Sequence, residues 1–67
     1  MNGAFSDAVI ATIHGGQDAQ RLLHAVREGM APADALLEGL QAVQALNDVD
    51  HLRGFCRELQ KAVERRA

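Results

Sequence analysis

Three histidines, one cysteine and a row of basic side chains are the residues of this chain that could do chemistry, and their spacing decides how much they can do. A zinc site carried on a helix or a tight turn needs ligands one turn apart or in a Cys-x-x-Cys pair. None of His14, His24 and His51 stands four residues from another histidine or from Cys56, so that local ligand pattern is missing and the histidines are expected to be exposed or capping. Cys56 falls on an apolar row and has no histidine placed by sequence to draw off its proton, which makes it a small buried hydrophobe rather than a nucleophile. Being single, it forms no internal disulfide. Gly15-Gly16 is followed by Gln17-Asp18 instead of the Lys-Ser/Thr that closes a phosphate loop, and reads as a flexible elbow. Such an elbow would let the first segment swing or be exchanged between subunits. No set of nucleophile, base and orienting group can be named. The expectation is a protein that is not an enzyme and uses no cofactor, metal or small-molecule substrate.

Arg53, Arg57, Lys61 and Arg65 recur every four residues and share one face of a helix. That stripe could dock an acidic partner or a phosphate backbone, or it could be a solvated face with Glu58 and Glu64 interspersed. Nucleic-acid affinity rests on a concentrated positive field, yet the chain carries a formal charge of −2 and its only aromatics are Phe5 and Phe55. Ala25 and Gly29 have the spacing of a helix-turn-helix corner, but the helix that follows opens with Asp34 and Glu38, which would repel phosphates. Nucleic acid is therefore the alternative and not the first expectation. Charge is nevertheless polarised: residues 1–50 set Arg21 and Arg27 against seven acidic residues, a balance of −5, whereas residues 51–67 set five basic residues against Glu58 and Glu64, a balance of +3. The two parts can neutralise each other within one chain or between chains.

The elements that must position these residues are all helical. Ser6 suits an N-cap, and Phe5, Val9 and Ile13 follow at helical spacing until His14-Gly15-Gly16. A second segment, Gln17 to Glu28, collects Ala19, Leu22, Leu23 and Val26 on one face and stops at Gly29, with Met30 placed for the apolar contact of a Schellman ending. Pro32 opens a third, to about Leu46, apolar over more than half its circumference, with small residues at Ala35, Gly39 and Ala42 that would admit a close neighbour. It reads as the central helix. Asn47 to Asp50 caps a fourth, in which Val49, Leu52, Cys56, Leu59 and Val63 keep a 3-4-3-4 rhythm before Arg65 and Arg66 close it. A competing possibility carries the helix unbroken through Asn47 and Asp48.

These signals predict one all-α domain over residues 1–67: a small bundle of three to four short amphipathic helices at about 6–14, 17–28, 32–46 and 49–65, with a helical-hairpin core formed by the last two. In architecture alone, short antiparallel helices with an acidic front and a basic end resemble small bacterial secretion co-chaperones and phage-encoded inhibitors; no shared motif carries a residue's role over. No run approaches a membrane span, and the N-terminus lacks a basic, long apolar leader, so a bacterial cytoplasmic protein is expected. A chain of 67 residues buries only about 60% of its unfolded surface and usually needs a staple, here a partner subunit. The function expected is a small adaptor, chaperone-like or inhibitor protein that binds a protein partner's helix or a second copy of itself. The apolar contacts are expected from Leu36, Leu40, Val43, Leu52, Phe55, Leu59 and Val63, and the charged ones from Arg53, Arg57 and Lys61.

Overall fold

A computed structural model describes residues 6–66, and every regular element among them is a helix: α1 over Asp7–Arg27, α2 over Asp34–Ala45 and α3 over Val49–Arg66. The all-α expectation holds, with three helices in place of four. Phe5 and the side chain of Arg66 lie outside the described residues.

The helix ends follow their local chemistry. Ser6 caps α1, its Oγ accepting from the Val9 N–H at 3.2 Å. At the far end Gly29 adopts φ 75°, and the Gly29 and Met30 N–H groups donate to the carbonyls of Val26 (3.1 Å) and Ala25 (2.9 Å), the pair of bonds that defines a Schellman ending. Met30 does not make the apolar contact expected of it and stays 71% exposed. The Asp48 carboxylate accepts from the N–H groups of Asp50 (3.1 Å) and His51 (3.2 Å), which caps α3. Asn47 sits at φ 57°, in the left-handed region, and so breaks the chain between α2 and α3. One continuous helix through Asn47 and Asp48 is thereby excluded. A tight turn through Pro32 and Ala33 delays α2 until Asp34.

Gly15-Gly16 is not an elbow. Helix α1 runs straight through it, and Gly15 is buried against α3. A Cβ built on Gly15 would collide with the His51 carbonyl, and one built on Gly54 with the Thr12 carbonyl. The two helices therefore cross backbone against backbone, a separation that only glycine permits. Each interior glycine costs a helix about 1 kcal/mol of propensity, which this close packing offsets. A subunit exchange hinged at Gly15-Gly16 loses its basis.

Partners advance together along α1 and α3: Thr12 and Gly16 meet Gly54, Gln20 reaches Glu58, and Leu23 shares a groove with Leu59 and Ala62. The two helices are thus parallel. Helix α2 runs back against both, with Leu36 beside Val26 and Ala62, and Val43 beside Asp18 and Phe55. The dominant contact is α1 with α3, so the core is not a hairpin of the last two helices, and α2 is the lightly held helix and not the central one. Its 12 residues, about 18 Å of helix, cover only part of the α1–α3 pair. The core is a cluster of Ala19, Val43 and Phe55, with Leu22, Leu40, Leu52 and Leu59 half-buried around them, and Ala62 is buried as well; Phe55 is the one large side chain fully enclosed among the described residues. Gly39 fits its expected part, since a Cβ there would press on Leu22 and on the Phe55 ring.

Candidate interaction surface

Helix α3 has two flanks of opposite character. On the side away from α2, its Glu58, Lys61 and Arg65 face Gln20, His24 and Arg27 of α1 across a shallow polar groove. The groove continues past Arg57 towards Ile13 and Gln17. Glu58 is its one acid: Gln20 Nε2 donates to Oε1 at 2.9 Å and Lys61 Nζ to Oε2 at 3.0 Å. The Gln20 amide first and the Lys61 ammonium second hold the Glu58 carboxyl below its usual range, against the opposing effect of partial burial. A second polar tie lies where the glycines cross. His51 Nε2 stands 2.8 Å from Asp18 Oδ2, and Arg21 approaches the other oxygen of the same carboxylate. The His51 side chain is only 14% exposed, so this histidine is neither exposed nor a cap but a link between α1 and α3. Among the described residues no group of three or more His, Cys, Asp or Glu side chains is placed to hold a metal ion, and no helix is long and apolar enough to cross a membrane.

On the α2 side, Leu23, Val26, Leu36, Leu59, Ala62 and Val63, together with Arg27, line a mainly apolar groove of about 270 Å³ where the three helices meet. The rest of this flank is open. Val49, Cys56 and Val63, seven residues apart, lie on one line of α3; the valines are 68% and 69% exposed, and Cys56 is exposed too. Cys56 is therefore not the buried hydrophobe its row suggested, because α2 covers the neighbouring Leu52–Leu59 line and stops short of it. Leu37 of α2, 57% exposed, and Leu46 at the helix end, 60% exposed, extend the uncovered apolar surface.

The residues expected to meet a partner divide into four groups. Val43 and Phe55 lie in the core and are out of a partner's reach. Leu40 and Leu52 are half-buried against that core, whereas Leu36, Leu59 and Val63 come together in the apolar groove. The basic stripe does not act as a unit: Arg53 turns to Asp50 at 3.7 Å, while Arg57 and Lys61 line the polar groove. Leu23, Val26 and Ala62 were not anticipated at the groove. The apolar face of α1 was readable, but not the helix that it would share with α3. No family model, curated protein or solved structure matches the chain.

Proposed function

We propose that this protein is a non-enzymatic interaction module that holds an amphipathic helix of a protein partner along the apolar flank of α2 and α3. The observation that carries the proposal is the Val49–Cys56–Val63 line, apolar, exposed and in heptad register beside half-buried Leu52 and Leu59. Exposed apolar surface arranged as a continuous strip costs solubility and is kept where a partner covers it. Helix-in-groove recognition uses this spacing, with anchors at i, i+3, i+4 and i+7. The small core supports the same conclusion, since a chain with one large enclosed side chain among the described residues gains stability from whatever completes it.

Sedimentation of the purified chain across the micromolar range, alone and with host extract, tests this. Species heavier than the 7.2 kDa monomer are expected, to be lost on Val63→Asp and retained on Arg57→Glu. A folded monomer at every concentration that also forms no complex in extract overturns the proposal. Loss on Arg57→Glu with Val63→Asp silent would transfer the role to the polar groove.

A further inference from the structure

We infer that the polar groove between α1 and α3, on the side away from α2, docks an acidic amphipathic segment of another protein, at a site separate from the apolar flank. The distribution of ion pairs carries this inference. Among the described residues Arg21 and Arg53 each pair with an aspartate on the preceding turn, and Lys61 pairs with Glu58. None of the ion pairs among the described residues includes Arg27, Arg57 or Arg65, and all three of these arginines line the groove. Lys61 gives a single N–H to Glu58 and has others to offer. With His24 counted as neutral, four cations against the Glu58 carboxylate give the groove a balance of +3, in a chain whose formal charge is −2. Arg57, Lys61 and Arg65 follow one another at single turns of α3, a spacing at which like charges repel and weaken a helix. An occupant that brings carboxylates turns this repulsion into attraction.

Pitch and lining select the kind of anion. The cations advance along α3 in steps of about 6 Å, the step at which another helix presents glutamates placed at every fourth position. Between the cations the floor is apolar, from Leu23 and Ala62 at one end and Ile13 at the other. A helical segment can set carboxylates on the arginines and Leu or Ala side chains on that floor. A nucleic-acid backbone carries charge along its whole length and no apolar side chains, and it would run off the groove onto a remainder of the chain whose balance is −5. Because Arg27, Arg57 and Arg65 are exposed, salt weakens the contact, which adds to the one on the apolar flank and does not replace it.

Fluorescence anisotropy with a labelled peptide of about four helical turns, Glu at every fourth position and Leu and Ala between, tests this. The full chain is expected to bind the peptide, and raising salt from about 20 to about 200 mM to weaken binding at least about fivefold. Arg57→Glu and Arg65→Glu, made separately, are each expected to weaken it at least about tenfold. The paired change Gln41→Glu with Gln44→Glu lowers the net charge by the same amount at exposed α2 positions, and should alter binding less than about twofold. Val63→Asp should be equally silent, so that the apolar flank can fail as an interface while this site stands. Helical circular dichroism of each variant confirms that it folds. Binding that survives both arginine substitutions overturns the inference. Binding that falls as far with the α2 pair overturns it too, because net charge alone would then explain it. Tighter binding of a labelled single-stranded DNA with the same number of charges assigns the groove to nucleic acid instead, and a chain that binds no peptide at low salt leaves the groove without this role.

Discussion

The α1–α3 crossing and the α2–α3 flank are built on the same helix and solve opposite problems. At the crossing, Gly15 and Gly54 remove side chains so that two backbones meet, and His51 with Asp18 locks the register from one side. On the flank, large side chains are present but uncovered, and Val49, Cys56 and Val63 remain open. Interior packing tolerates neither voids nor intrusions, so the crossing is specific and closed to further partners. The flank has surface to spare and no lock. A chain of 67 residues has thus placed its fold-determining contacts on one side of α3 and its available apolar contacts on the other.

The largest expected effect breaks the closed region. Gly15→Ala or Gly54→Ala drives a methyl group into a carbonyl oxygen of the facing helix, and the obstacle is backbone, which cannot rotate away. Overpacking of this kind costs about 3 kcal/mol, comparable with the whole stability of a domain this small. Both variants are expected to lose most of their helical circular dichroism at 25 °C. Gly16→Ala is the matched control. Its added methyl meets the Glu58 side chain at 3.2 Å, a flexible obstacle, and the fold should survive. Equal tolerance of all three substitutions would mean that the backbones do not touch.

What could be read from the sequence follows the range of the forces involved. Ser6, Gly29 and Asp48 were legible because a cap is a bond to a residue two to five positions away, complete within the local chain. Gly15-Gly16 misleads for the opposite reason. Locally a glycine pair ends a helix, and only the approach of α3, some 40 positions on, makes it a packing surface. Gly54 passed without notice, although one interior glycine in each of two apolar helices is the signal that could have paired them. Phe55 and Val43 lie on apolar faces, but periodicity identifies the face and not the helix that covers it. Cys56 belongs to a regular 3-4 row, and that row is wider than the short α2 can cover.

An intermediate effect sharpens the boundary between the two regions. His51→Ala removes the ring that joins α3 to the Asp18 carboxylate. A hydrogen bond to a charged group is worth about 1.5–3 kcal/mol when enclosed. Asp18 is 32% exposed and keeps Arg21, so a loss of about 1 kcal/mol in urea unfolding is expected. Arg21→Ala, which removes a side chain 75% exposed, should cost less than about 0.5 kcal/mol. If the two substitutions cost the same, His51 is no part of the lock and the crossing rests on glycine packing alone.

The smallest effect concerns acid, and again it should fall on the α1–α3 side. Gln20 and Lys61 hold the Glu58 carboxyl below its ordinary range in the folded chain, so the folded state binds that proton less readily than the unfolded one. Glu58 therefore contributes stability that is complete above the ordinary carboxylate pKa and is lost as pH falls through the lowered folded value. In Glu58→Gln the bond from Gln20 can persist while the charge is gone. The stability gap between wild type and this variant, followed by urea midpoints from neutral pH downward, is expected to be small at neutral pH and to close in the acid range. A gap that widens with acid reverses the sign and would place Glu58 in a setting that favours its protonated form, at odds with the two donors that face it.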